Sequence, residues 1–240
     1  MAKLRQFNDT RIQQAIDLSA VLLRDIDASI QRKRKAARKS DGCLPRAADV
    51  VDPELGRDIM AALAHDILLA RAPRSENVVK ARLDWVTWQD GRARIVVPAA
   101  QVKMRSAGDA DLTIQLGKAA SKLLKTYLET VRPAILTASQ KENPYLFPAQ
   151  GKTNADGHYA GLLKRVTARL HEKVGVRINP HLYRHLIGWI WLRDSLDHLP
   201  KVQRLLGHKR LQTTIDHYAE LDETLISNEW LAHLDSRSAA

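Results

Sequence analysis

The first periodic pattern in the chain runs through residues 8 to 31. Apolar residues recur there at steps of three and four positions, which is the spacing of one face of an α-helix. These residues are Ile12, Ala15, Ile16, Leu22, Leu23, Ile26 and Ile30. The pattern predicts an amphipathic helix that leads into a basic cluster and ends before a linker around Gly42 and Pro45. The basic cluster consists of Arg32, Lys33, Arg34 and Lys35.

A second periodic run begins at Asp52 and ends before Ala72-Pro73, and a short helix opened by Ser75 follows it. Two β-rich runs, residues 83–88 and 92–98, then flank the dipeptide Asp90-Gly91. This dipeptide is typical of the two-residue turn of a β-hairpin. A third extended run, residues 112–116, completes a small antiparallel sheet.

The rest of the chain shows helical patterns. The predicted helices cover residues 117–131, 158–174, 181–193, 200–206, 211–218 and 222–234. The predicted fold class is therefore mainly α with a small antiparallel β-sheet (α+β). The apolar window at 186–192 is far shorter than the roughly 20 residues that span a bilayer, and the N-terminus lacks the apolar core of a signal peptide. We expect a cytoplasmic protein that does not enter a membrane.

The charge of the chain indicates the class of its partner. Its 240 residues carry 38 Lys and Arg against 27 Asp and Glu, a net charge of +11. A basic excess of this size indicates a polyanionic partner, most often nucleic acid. The single cysteine, Cys43, excludes an intramolecular disulfide and a cysteine zinc cluster, and it favours a reducing compartment.

The most informative residues lie between positions 180 and 220. His181-Leu-Tyr-Arg184-His185 opens a helix, Leu-Gly-His208 follows about two dozen residues later, and a Thr-Thr pair precedes Tyr218. In this order the motifs resemble the tyrosine recombinase (phage integrase) family, over roughly residues 52–235. The resemblance implies a catalytic domain at 51–240, preceded by an N-terminal helix and basic linker at 1–50.

Two further segments resemble the same family. Ala72-Pro-Arg74-Ser-Glu76 is similar to its Gly-Leu-Arg-x-x-Glu segment, with Arg74 and Glu76 as the arginine and glutamate and Pro73 in place of leucine. Lys103 occupies the place of the family's hairpin lysine. The resemblance implies a Tyr218 nucleophile surrounded by Arg74, Lys103, His181, Arg184 and His208. The residues expected to bind flanking DNA are the basic cluster with Arg105, Lys209 and Arg210.

The chemistry of phosphodiester cleavage independently requires groups of these types. A phosphodiester is anionic, so a nucleophile is repelled until guanidinium groups such as Arg74 and Arg184 neutralise its oxygens. Because a tyrosine has a pKa of about 10, it needs a base as it attacks. The leaving 5′-oxygen needs an acid such as a lysine ammonium. The covalent phosphotyrosyl bond conserves the energy of the cleaved linkage, so we expect no ATP, metal ion or other cofactor.

The resemblance implies a site-specific recombinase or integrase that acts on double-stranded DNA as a homo-tetrameric synapse. In that assembly the C-terminal helix would dock on a neighbouring subunit. Two alternatives stay open: a catalytically silent DNA-binding regulator of the same fold, and a type IB topoisomerase-like enzyme. His181 and His185 also have the spacing of half a zinc site, but nothing in the sequence completes one.

Because only some fifty residues precede the catalytic region, we expect either a fragment or a minimal recombinase. Tyr218 lies ten residues after His208, where nine is the expected spacing.

Overall fold

A computed structural model describes residues 8–38, 42–103, 105–106, 108–149 and 157–207, and the single positions 212, 227, 230, 231 and 234. Within this part of the chain there are ten α-helices and one three-stranded sheet. The predicted fold class, mainly α with a small antiparallel sheet, is confirmed.

The N-terminal region forms two helices, α1 (Asp9–Ile16) and α2 (Leu18–Ala36), followed by the short α3 (Ala47–Val50). The sequence predicts one continuous helix here, but the structure interrupts it at Asp17. At this break the Ala15 carbonyl accepts a hydrogen bond of 2.8 Å from Nε2 of His65, a residue 50 positions away. The spacing of apolar residues around position 17 cannot reveal a contact with a residue so far away in the sequence. Helix α2 continues through the basic cluster and ends at Ala36, before the predicted linker.

Helix α4 (Pro53–Arg71) lies at the centre of the fold. The Asp52 side chain caps its first turn by accepting from the Leu55 amide at 2.9 Å, and Pro53 occupies the first position, where no amide hydrogen is needed. Residues 59–64 are buried without interruption, which is typical of a helix surrounded by protein on all sides. Helix α2 and the later helix α8 (Leu162–Val174) both pack against α4. The short α5 (Ser75–Val79) follows it.

The predicted hairpin is present as strands β1 (Val86–Gln89) and β2 (Arg92–Val97), and β3 (Leu112–Gln115) adds the third strand. The order is β1-β2-β3, antiparallel throughout. Asp90 and Gly91 both have positive φ, 50° and 70°, which gives the turn the twist that suits a two-residue hairpin. Strand β1 begins three residues later than the predicted run, because Leu83–Trp85 forms a helical turn.

The remaining helices are α6 (Lys118–Thr126), α7 (Arg132–Ile135), α8 (Leu162–Val174), α9 (Pro180–Asp194) and α10 (Leu199–Leu206). A π-helical turn, Tyr127–Val131, joins α6 to α7 where the sequence predicts a plain α-helix. The predicted helix 211–218 lies outside the described residues except for Gln212. Of the predicted helix 222–234, four positions are described as helical, and Trp230, Leu231 and Leu234 among them are exposed.

One continuous apolar core connects the N-terminal helices with the rest of the described chain. It includes Leu22 and Ile26 of α2, Leu63 of α4, Ile95 of β2 and Leu186 of α9. The division of the chain into domains at residue 50 stays a prediction. Among the described helices, none combines the length and the apolar composition that crossing a membrane requires.

Candidate active site

A cavity of about 650 Å³ lies where the end of α4, the loop between β2 and β3, and helices α9 and α10 meet. Its described lining contains five basic residues and one acidic residue. The basic ones are Arg71, Arg74, Lys103, Arg105 and Arg184, and the acidic one is Asp109. We name this cavity the cationic pocket. Three predicted site residues that are far apart in the sequence, Arg74, Lys103 and Arg184, thus come together in it.

Arg74 reaches the pocket because the chain turns sharply between α4 and α5. Ala72 ends α4 in the left-handed conformation, with φ 43° and ψ 56°, and Pro73 prevents the helix from continuing. Arg74 then stands immediately before α5 with an exposed side chain. Its Nη1 donates to the Lys103 carbonyl at 2.7 Å. One predicted cation therefore holds the backbone of the loop that carries another.

Arg184 connects three helices. It lies on α9, its Nη1 donates to the Ala72 carbonyl at 2.8 Å, and its Nη2 donates to the Leu206 carbonyl. Those carbonyls belong to the C-terminal ends of α4 and α10, where the partial negative charge of a helix favours a cation. Gly207, which follows Leu206 directly, lines the same pocket. Arg184 thus fixes the turn that comes immediately before His208.

Side chains on both sides hold the loop of Lys103 and Arg105. Asn77 Nδ2 donates to the Gln101 carbonyl at 2.9 Å. Within the loop, Arg105 Nη1 donates to the Ala110 carbonyl, and the Ser106 amide donates to the Asp109 carboxylate at 2.7 Å. Because Lys103 is exposed at this place, its ammonium is accessible to a bound anion.

Sequence reasoning missed Arg71 and Asn77. Arg71 lies on the last turn of α4, three residues before Arg74, and its Nη1 donates to the Thr113 carbonyl at 2.6 Å. Partial burial, and then the nearby charge of Arg105, lower the pKa of its guanidinium. Arg71 is only three residues from Arg74 in the sequence, and this closeness could have indicated it as a site residue.

The assignment of Glu76 to the glutamate of the family's Gly-Leu-Arg-x-x-Glu segment is wrong, and Asn77 occupies that position. In the pattern Arg-x-x-Glu the last position is the third after the arginine, and here that residue is Asn77. Asn77 is buried and lines the pocket, whereas Glu76 is exposed and pairs with Lys80 at 2.6 Å. Strict counting of the motif would have selected Asn77 from the sequence.

Arg105, predicted to bind flanking DNA, also lines the pocket, whereas His181, predicted to be catalytic, is not among its described lining residues. His181 lies on the first turn of α9 with an exposed side chain, and its ring centroid is 5.2 Å from that of His185. His208, Lys209, Arg210 and Tyr218 lie outside the described residues. In the part of the chain that the structure describes, no three His, Cys, Asp or Glu side chains form a group that could hold a metal ion.

The basic cluster forms the last turn of α2, and none of its four residues lines the pocket. Lys33 pairs with the Asp52 carboxylate, and Arg34 Nε donates to the Pro45 carbonyl at 2.6 Å. These two side chains hold the segment before α4 against α2. Arg32 and Lys35 are exposed. The four cations therefore divide into two with contacts inside the protein and two that face solvent.

The cationic pocket is suited to an anion. A guanidinium carries five N–H donors in a planar fork, enough to hold a backbone carbonyl and phosphate oxygens together. Two such groups with an ammonium beside them match the charge of a phosphodiester on the way to a pentacoordinate transition state. The geometry supports phosphate binding and phosphoryl transfer better than it supports acyl or redox chemistry.

Comparison with known proteins points to one family. Residues 52–224 match the model of the phage integrase family. Tyrosine recombinase XerD of Caulobacter vibrioides is 30% identical over 142 residues, which cover 56% of this chain and 42% of that protein. Tyrosine recombinase XerC of Bacillus subtilis is 29% identical over 137 residues, which cover 55% of this chain and 42% of that protein. The match spans less than half the length of these relatives.

Solved structures share the fold. The XerH site-specific recombinase bound to palindromic difH substrate, a post-cleavage complex, aligns with a TM-score of 0.59 at 17% identity, covering 93% of this chain and 52% of that chain. The XerA recombinase aligns with a TM-score of 0.55 at 17% identity, covering 95% and 64%. These alignments extend over nearly the whole chain and thus over more of it than the family match does.

Proposed function

Because the chain belongs to the phage integrase family, we propose that it is a site-specific DNA recombinase that cleaves one strand and rejoins it to a partner strand. One structural observation carries the proposal: Arg74, Lys103 and Arg184 converge on one pocket although the sequence separates them widely. A protein that binds DNA without cleaving it needs cations spread along the duplex. A set focused on one point matches the needs of a single reacting phosphate.

In the proposed reaction, Arg74 and Arg184 hold the nonbridging oxygens of the scissile phosphate. The backbone contacts of both guanidinium groups fix them before DNA arrives, so little reorganisation remains when charge develops on these oxygens. Asn77 and Arg74 anchor the loop that presents Lys103. The pocket therefore contributes electrostatic stabilisation and orientation.

The chemical step is an exchange of oxygen atoms at phosphorus. The Tyr218 phenol loses its proton to an imidazole, His181 or His208, and its oxygen forms a bond to phosphorus. The bond from phosphorus to the 5′-oxygen breaks, and the Lys103 ammonium gives that oxygen a proton. The products are a 3′-phosphotyrosyl linkage and a free 5′-hydroxyl. Rejoining reverses these steps with the 5′-hydroxyl of the partner strand.

The alternatives differ in their outcome. A silent DNA-binding regulator would show no covalent linkage at all, and a topoisomerase-like enzyme would rejoin the original 5′-hydroxyl. The names of the relatives, tyrosine recombinases XerC and XerD, favour strand exchange. The partner in this proposal is double-stranded DNA, as for the XerH recombinase on its difH substrate. We further propose action in the cytoplasm, with a homo-tetramer forming on DNA.

The test is a search for the covalent intermediate on lightly nicked genomic DNA of the source organism. Next to a nick, cleavage releases a short fragment that diffuses away, so the phosphotyrosyl product accumulates. After denaturation, protein-linked DNA is recovered and the attached strand is sequenced. We expect a denaturant-resistant adduct that is concentrated at one sequence. A chain that binds this DNA and forms no adduct would refute the catalytic proposal and leave the regulator.

The exposed half of the basic cluster gives a separate prediction. The double variant Arg32→Gln/Lys35→Gln should flatten the dependence of DNA affinity on salt, because each lost phosphate contact lowers the slope of log K against log salt by about 0.9. Fluorescence anisotropy of a labelled duplex across a series of salt concentrations measures this slope. The matched control, Lys33→Gln/Arg34→Gln, removes the same charge from side chains with partners inside the protein and should change it less. An unaltered slope in the first variant would make the cluster a solvated helix end.

A further inference from the structure

A buried histidine on α4 joins two helices that are far apart in the sequence. His65 is 1% exposed, its Nε2 lies 2.8 Å from the Ala15 carbonyl of α1, and its Nδ1 lies 2.6 Å from the Tyr183 hydroxyl of α9. Tyr183 is equally buried, and the two rings meet edge to face with centroids 5.5 Å apart. The two hydrogen bonds form a chain from α1 through α4 to α9.

The direction of each hydrogen bond in this chain is determined. A carbonyl oxygen only accepts, so His65 Nε2 carries the proton and donates to Ala15. Nδ1 is then an acceptor, and the Tyr183 hydroxyl donates to it. Burial lowers the pKa of His65 to about 4, which keeps the ring neutral at physiological pH. Burial also raises the pKa of Tyr183, so its hydroxyl retains the proton that it donates.

The chain of hydrogen bonds ends next to a residue of the cationic pocket. Tyr183 immediately precedes Arg184 on α9. Helix α4 and its terminal residue Ala72 thus hold α9 at two neighbouring points: His65 holds the Tyr183 side chain, and the Ala72 carbonyl holds the Arg184 guanidinium. The first contact lies in the core and the second involves a side chain that lines the pocket, so two contacts on different side chains hold this turn of α9.

We propose that His65 and Tyr183 are positioning residues that set the placement of Arg184 in the pocket. The inference rests on the proposed function, since it assigns a task to Arg184 at the scissile phosphate. A group that stabilises a transition state loses effect when it is displaced by a fraction of an ångström. The hydrogen bond from Tyr183 prevents that displacement without contacting DNA.

The test compares two tyrosine-to-phenylalanine variants. Tyr183→Phe removes the hydroxyl that reaches His65. The matched control Tyr127→Phe removes another fully buried hydroxyl, which donates to the Leu146 carbonyl at 2.8 Å and belongs to a residue outside the pocket lining. Each variant keeps its ring and leaves one buried acceptor without its donor. A general loss of stability should therefore be similar in both.

The measured quantities are the single-turnover rate of adduct formation on a nicked duplex at saturating protein, and the affinity for that duplex. For Tyr183→Phe we expect the rate to fall about tenfold or more while affinity stays within about twofold. For Tyr127→Phe we expect the wild-type rate. Wild-type cleavage by Tyr183→Phe, or equal slowing of both variants, would overturn the inference.

A second measurement does not depend on activity. Hydrogen exchange of the α9 amides should accelerate in Tyr183→Phe relative to Tyr127→Phe, because the contact that holds this turn against α4 is lost. Equal protection of α9 in the two variants would overturn the inference. Absence of an adduct from the wild-type protein would instead refute the proposed function, and the exchange data would then still show whether the network holds α9.

Discussion

Tyr218→Phe is expected to abolish the covalent adduct with DNA and to leave DNA affinity unchanged. The substitution removes only the phenolic oxygen that is proposed to attack phosphorus, so no bond to the protein can form. Loss of a covalent nucleophile costs a rate factor on the order of 10⁴ or more. In this proposal the contacts with flanking phosphates come from the basic residues, so the Tyr218 hydroxyl is not needed for affinity.

The assay for this prediction is denaturing electrophoresis of protein incubated with a labelled nicked duplex, alongside a binding measurement on the same duplex. A suitable control is Tyr159→Phe, which removes a hydroxyl from a half-buried tyrosine elsewhere in the described chain. That variant should form the adduct normally. Persistence of the adduct in Tyr218→Phe would place the nucleophile on another residue and remove the main support for the motif around Leu-Gly-His208.

Arg184→Ala should reduce the rate of adduct formation by about 10²- to 10³-fold, far more than it reduces DNA affinity. Two losses combine in this variant. The scissile phosphate loses the donor that is proposed to act on its developing charge, and the carbonyls of Ala72 and Leu206 lose the guanidinium that ties α4 to α10. Affinity depends on many cations, so the loss of one changes it little.

Arg184→Lys separates these contributions. Lysine keeps the charge but lacks the planar fork that reaches two carbonyls and a phosphate together. We expect Arg184→Lys to bind like the wild-type protein and to cleave almost as slowly as Arg184→Ala. Arg204→Ala, which removes an exposed cation of α10 outside the described pocket lining, is the matched control and should cleave normally. A fast Arg184→Lys variant would mean that charge alone is sufficient at this position.

The sequence predicted those parts of the fold that local rules determine. The Asp90-Gly91 turn predicted the hairpin, and the helical periodicity between Asp52 and Ala72-Pro73 predicted α4. It did not predict the break at Asp17, because the carbonyl at that break is engaged by His65 from another helix. The π-helical turn at Tyr127 also coincides with a distant contact, the bond from its hydroxyl to Leu146. Local patterns carry no information about such contacts.

The candidate site, like the fold, could be predicted from the sequence only in part. The resemblance to the family identified Arg74, Lys103 and Arg184, and the structure brings these three together in the cationic pocket. Spacing alone did not reveal that Arg74 and Arg184 also bind backbone carbonyls, nor that Asn77 holds the Lys103 loop. The assignments of Tyr218 and His208, like that of His181, rest on motif order and stay predictions.

The two contacts between α4 and α9 have a consequence for how the protein folds. His65 and Tyr183 are 118 positions apart, and Ala72 and Arg184 are 112 apart. Contacts of such long sequence separation require closure of a large loop and tend to form late in folding. During synthesis, α4 leaves the ribosome long before α9 exists. Arg184 therefore reaches the cationic pocket only when the domain is nearly complete. A partly synthesised chain lacks the pair of Arg74 and Arg184 that is proposed to hold the scissile phosphate.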